Sequence, residues 1–232
     1  MDTNQREIER LVAFGQYLSW SVLLRTMYYS EISREPDPDD ERASDDYEWR
    51  TYGLLCYFYA SLYVVVEAWS EMGFSDPTID SLLSHPGGYR ELLRRFRNGV
   101  FHFQPSITDA RLQQLLSTGD EHVEWVRALE QEFVRYFNNH FETLADTESG
   151  SRQVRDTLWS ILHWVPLHPR ISSAERTLAL AEIILTGPGF QRSAEEQGKL
   201  TEAVADLERL SREVAARFEA QRIETLNKLG IK

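Results

Sequence analysis

Apolar residues recur at three- and four-residue steps along nearly the whole chain, and no run alternates strictly between apolar and polar within turn signals. This periodicity predicts an all-α fold, with helices over roughly 5–33, 46–72, 79–103, 108–116, 119–145, 152–165, 172–186 and 193–229. Turn-forming punctuation supports the breaks: "GFSDP" before the third segment, "QPS" after it, "STGD" before the fifth and "TGPGF" before the last. No internal repeat is visible.

Composition shifts at "DTESGSRQ", Asp146 to Gln153. The expected organisation is a helical bundle over residues 1–147 and a C-terminal helical extension over 148–232. In the extension Leu200, Val204, Leu207, Leu210, Val214 and Phe218 form an amphipathic stripe. It is not a strict heptad, so the segment is expected to pack back on the bundle rather than form a coiled coil.

Thr51 to Val66, "TYGLLCYFYASLYVVV", is sixteen residues without a charge. A membrane span needs about 20 predominantly apolar residues. This stretch is short and holds four tyrosines, so it is read as the buried helix at a bundle centre, with no membrane partner. The N-terminus, "MDTNQREIER", lacks the apolar core of a secretory signal. The single cysteine, Cys56, excludes an internal disulfide framework and a multi-cysteine metal site. Both features suit a cytoplasmic location.

The net charge of −12 disfavours indiscriminate binding to nucleic acid, but its distribution is uneven. Arg34 to Glu48, "REPDPDDERASDDYE", holds eight acids against two arginines and matches no calcium-loop spacing, so it reads as a solvating connection. Arg90 to His102 holds four arginines against Glu91. On a wheel of 100° per residue, Leu92, Leu93, Phe96, Val100 and Phe103 share one core-facing stripe. Asn98 and His102 fall about 160–120° from its centre, on the outer side, and Phe101 also points off the stripe beside Arg97. An outward aromatic beside a charged cluster predicts a covered surface, with Phe101 at a dimer interface. Arg97 and His102 lie about 140° apart on a straight helix. Either Gly99 relaxes the helix between them, or the arginine of one copy meets the histidine of another across a twofold axis.

Arg97, Asn98, "GVF" and His102 resemble the motif of the HEPN superfamily, in which an arginine, often followed by a polar residue, precedes a histidine by four to six positions. The resemblance covers residues 1 to about 145. It implies a bundle of four or more helices, a homodimer that brings two motifs into one cleft, and metal-independent cleavage of RNA in a toxin or defence setting. A second such spacing, Arg135, "YFNN", His140, has Tyr136 where Asn98 stands and lacks the basic island, so the first motif is preferred. Some HEPN toxins carry a modifiable tyrosine two residues after the histidine; here that position is Gln104, which disfavours silencing by that route.

The residue types fit the chemistry. Attack of a ribose 2′-hydroxyl on the neighbouring phosphate needs a base, an acid and a cation on the phosphoryl oxygens. A histidine, with an ordinary pKa of about 6.5, serves either proton role. The expected catalytic set is therefore Arg97, Asn98 and His102, with Arg94 and Arg95 on flanking RNA phosphates. The expected partners are an RNA substrate, a second copy of the chain, and an antitoxin or other regulatory protein. Dependence on the 2′-hydroxyl excludes DNA as substrate. No metal or other cofactor is expected, since His85, His122, His140, His163 and His168 show no ligand spacing. "HPGGYR", His85 to Arg90, follows no strand and reads as a turn opening a helix rather than a phosphate cradle. The rival reading is a catalytically silent helical module that binds a protein or nucleotide through the same cleft.

Overall fold

The computed structural model describes residues 3–34, 41–106, 109–145 and 194–231. All regular structure among them is α-helical: α1 (Thr3–Ile32), α2 (Glu41–Met72), α3 (Pro77–Leu83), α4 (Tyr89–Phe101), α5 (Ala110–Leu116), α6 (Asp120–Ala145) and α7 (Ala194–Lys228). The predicted helices over 152–165 and 172–186, and the boundary at 146–153, lie outside the described residues. The single helix predicted over 79–103 is two helices. Pro86 offers no N–H, and Gly88 takes φ 66° at the N-cap of α4, so the chain turns between α3 and α4.

Helix α2 is the spine, packing against α1 on one side and α4 on another. Its uncharged stretch supplies Phe58, Tyr59, Ala60, Leu62, Tyr63, Val65 and Val66 to the core. This helix, from Ser44 to Met72, is long and apolar enough to cross a membrane, and half of its most apolar stretch is buried inside the fold. Helix α1 faces it with Leu11, Phe14 and Leu18, and α6 adds Trp125, Leu129, Phe133 and Phe137 at four-residue steps. Aromatic rings join the three. Trp69 meets Tyr136 edge-on at 4.6 Å, and Phe14 lies 5.5 Å from Phe74 and 5.8 Å from Phe133. Truncating a buried ring of this kind to alanine costs about 3–5 kcal/mol.

The helix ends are closed by local chemistry. After α2 the Phe74 N–H donates to the Trp69 carbonyl (3.2 Å) and the Gly73 N–H to that of Ser70 (3.3 Å). Gly73 sits at φ 64°, the left-handed turn this closure demands, and the Phe74 and Trp69 rings meet at a tilt across the joint, 5.8 Å apart. Asp76 caps α3, its Oδ1 accepting from the Thr78 and Ile79 amides, with Pro77 as the first helical residue. Helices α1 to α6, with the chain from Leu226 onward, form one compact unit. The part of α7 ending at Thr225 belongs to a second. Of the predicted stripe on α7, Leu210 is exposed, whereas Leu226, Leu229 and Ile231 at the helix end are buried.

Candidate functional site at the end of helix α4

Helix α4 carries its apolar residues inward at Tyr89, Leu93, Phe96 and Gly99. Gly99 is where α5 comes closest: a Cβ there would stand 2.8 Å from Leu112 Cδ2. The glycine thus permits close packing of α4 on α5, and the helix runs unbroken through it. The alternative role, relaxing the helix between Arg97 and His102, is not the one it plays.

The helix stops at Phe101. His102 is its C-cap, with extended backbone (φ −118°, ψ 135°) and its amide donating to the Asn98 carbonyl at 3.2 Å. The wheel angles for His102 and Phe103 therefore do not apply. Phe103, expected in the core stripe, is 92% exposed because the chain has left the helix before reaching it. Phe101, expected off the core, is 50% exposed, and its ring lies 6.4 Å from that of Tyr57 on α2, itself exposed. His102 thus stands exposed between exposed Phe101 and Phe103 in the chain, and its imidazole forms no hydrogen bond or ion pair among the described residues.

Arg97 is held differently. One Nη donates to Glu67 Oε2 of α2 at 3.1 Å and the other to Asn98 Oδ1 at 3.0 Å, while Nε is buried without a hydrogen-bond partner. The predicted trio is therefore split: Arg97 and Asn98 are in direct contact, and neither bonds the His102 imidazole. Arg94 is clasped by both carboxylate oxygens of Glu91 at 2.6 and 2.7 Å on the exposed face. Glu91 is held below its usual carboxylate range chiefly by that hydrogen bond, which outweighs the opposing effect of desolvation. Arg95 is half-buried beside Asp109, whose carboxyl is lowered first by hydrogen bonds from Arg111 and least by Arg95.

The exit of the chain from α4 is pinned by a residue that motif reasoning passed over. Gln104 Nε2 donates to the carbonyls of Asn98 and His102, and its Oε1 accepts from Arg111. Arg111 is itself fixed by Asp109 at 2.9 Å. A side-chain amide just past a predicted helix end was the available signal. Glu67, the partner of Arg97, could not be read from spacing because it lies thirty residues away.

Chemically, the site offers an exposed imidazole, a guanidinium anchored to an adjacent carboxylate, and two more arginines on the same helix, Arg94 exposed and Arg95 half-buried. No protein-family model, curated protein or solved structure matches the chain.

Proposed function

We propose that the chain is a cytoplasmic HEPN-like protein whose homodimer cleaves RNA without a metal, in a toxin or defence setting. The observation that supports this most is the release of His102 at the end of α4, between half-exposed Phe101 and exposed Phe103, on a helix carrying Arg94, Arg95 and Arg97. In the dimer, His102 of one protomer takes the proton of a 2′-hydroxyl as its oxygen attacks phosphorus. The bond from phosphorus to the 5′-oxygen breaks, and the second His102 returns a proton to that oxygen. Arg97 stabilises the negative phosphorane and Asn98 fixes the guanidinium. The pairing of Arg94 with Glu91 lies in solvent, where screening leaves it weak, so an RNA phosphate readily replaces it.

Expression in bacteria tests the reading. Wild type should arrest growth and His102→Ala should relieve the arrest. The purified protein should cleave RNA in excess EDTA and leave 2′,3′-cyclic phosphate and 5′-hydroxyl ends. Ends bearing a 5′-phosphate, or loss of cleavage on chelation restored by added metal, would contradict it.

A second reading, the silent module that binds a protein or nucleotide through this cleft, is favoured by one contact. Glu67 already occupies Arg97, so an incoming phosphate must compete with it. A wild type that bacteria tolerate and that cleaves no RNA would favour this module.

A further inference from the structure

A cavity of about 290 Å³ lies among α1, α2 and α6 and shares no residue with the end of α4. Its volume is at the lower end of the range for small-molecule sites. Glu130 of α6 lines it and is 1% exposed. Arg25 of α1 brings Nε to 3.0 Å from Glu130 Oε2, yet the angle makes no hydrogen bond, and both Arg25 Nε and Glu130 Oε1 are buried without a hydrogen-bond partner. Burial drives the Glu130 carboxyl up to about 7, against the lowering pull of Arg25. A buried carboxylate oxygen in this state is costly unless an N–H or O–H donor reaches it.

The remaining charges narrow the donor's identity. Arg127 also lines the cavity, three residues before Glu130 and so on the same face of α6. Arg127 pairs with Glu124 at 3.3 Å, just outside the lining, as Arg25 faces Glu130 at 3.0 Å, so each arginine of the cavity already stands beside a glutamate. His122 is buried there too, its pKa lowered by desolvation against the raising effects of Gly119 and Asp120, and adds no charge near neutral pH. A phosphate monoester would set two negative charges over a buried carboxylate in a balanced site. A zwitterion preserves the balance, and its ammonium and carboxylate, attached to one carbon, can be met by two long side chains converging from neighbouring positions on one helix face. Phe58 and Tyr59 add a buried aromatic wall.

We infer that this cavity binds a free α-amino acid with a bulky apolar side chain, its ammonium donating to Glu130 Oε1, its carboxylate accepting from Arg127 and its side chain lying on Phe58 and Tyr59. The site stands independently of any nuclease activity. Calorimetric titration of the full chain with L-phenylalanine, L-leucine and L-tryptophan tests it. At least one should bind stoichiometrically. For that amino acid, removing either the ammonium or the carboxylate, as in phenylpropionate or phenethylamine for phenylalanine, should weaken binding at least about tenfold. Glu130→Gln should cost at least about tenfold for the amino acid and much less for the analogue lacking the ammonium. If Glu130→Gln does not fold by circular dichroism, Arg127→Met, at a partly exposed position, decides instead. It should weaken the amino acid and spare the analogue lacking the carboxylate. Failure of all three amino acids to bind, binding untouched by the folded variants, or adenosine monophosphate binding in their place would overturn the inference.

Discussion

The chain contains the same spacing twice, and the fold treats the two copies in opposite ways. Arg135 and His140 lie inside the unbroken helix α6. Arg135 donates to Asp76 Oδ2 at 2.7 Å and Glu132 Oε2 at 2.5 Å, fastening α6 to the cap of α3. The His140 ring stacks on Tyr136 at 3.9 Å, with Nδ1 3.0 Å from the Tyr136 carbonyl oxygen. Arg135 Nε and Nη2 and His140 Nδ1 thus each meet a group of the fold, although His140 itself stands at an exposed position. At the end of α4 the helix stops one residue before His102, and the imidazole is left outside. Spacing in sequence fixes only how many residues separate arginine and histidine. Whether the helix continues through them decides whether the histidine packs back on its own helix, as His140 does on Tyr136, or stands apart from it, as His102 does.

The sharpest way to break this comparison is to remove each histidine. His102→Ala should lower RNA cleavage by about 10²–10⁴-fold, the usual contribution of a general acid or base, while melting within about 0.5 kcal/mol of wild type because the side chain is exposed. His140→Ala should leave cleavage within a few-fold. Gel assays on both variants, paired with urea denaturation, decide it. Equal cleavage by wild type and His102→Ala would remove the distinction between the two motifs.

The aromatic neighbours differ as the histidines do. Tyr136 and Phe137 after Arg135 are in the core, whereas Phe101 and Phe103 flank His102 on the outside. If a second protomer covers Phe101, Phe101→Asp places a charge in that contact and costs a few kcal/mol of association. Sedimentation and RNA cleavage should fall together, with helical circular dichroism unchanged. A monomeric variant that cleaves at full rate would refute a shared site, and an unaltered dimer would move the interface elsewhere.

The arginines should show the reverse ranking. Arg135 is 29% exposed and ties the partly buried Asp76 and the fully buried Glu132, so Arg135→Ala should destabilise the fold by about 2 kcal/mol. Arg97 and Glu67 are each about a third exposed, and Arg97→Ala should cost about 1 kcal/mol or less in urea denaturation while cleavage drops steeply. A large stability loss with Arg97→Ala would make that residue structural and favour the silent module.

Much of this arrangement was legible in the chain. Steps of three and four placed α1, α2, α6 and the end of α7 to within a few residues, because buried stripes such as Leu11, Phe14 and Leu18 dictate helix phase. The outward position of Phe101 followed from the same phase. What failed was the extrapolation past it: the wheel carried Phe103 into the core, since Gln104 and Arg111, which hold the chain in its exit path, act through tertiary contacts that no period encodes. The Pro86–Gly88 break was visible as a turn but was still bridged by one predicted helix. The Glu130 cavity left a fainter mark. Arg25 continues the phase of Leu18 and Ser21, and Glu130 adjoins Leu129, so charges sit where apolar residues belong.

The smallest expected effect is electrostatic and belongs to the second motif alone. Burial by itself raises the Asp76 carboxyl, but the hydrogen bond from Arg135, then those from the Ile79 and Thr78 amides, outweigh it and leave the folded pKa below the ordinary 3.8. A depressed carboxyl contributes its stability in full above the unfolded value and loses it as pH falls through the folded one. Wild type should therefore lose stability through Asp76 as pH drops below about 4, and Asp76→Asn should be flatter over that window, at the cost of a weaker cap on α3. Arg135→Ala removes the leading cause of the depression and should flatten the same limb, and the double variant should add little to either. Urea midpoints at several pH values from 2.5 to 5.5, on the order of one reading per half unit, resolve these slopes. If Arg135→Ala keeps the wild-type slope, the ion pair is not what holds Asp76 charged, and the fastening role assigned to the second motif fails with it.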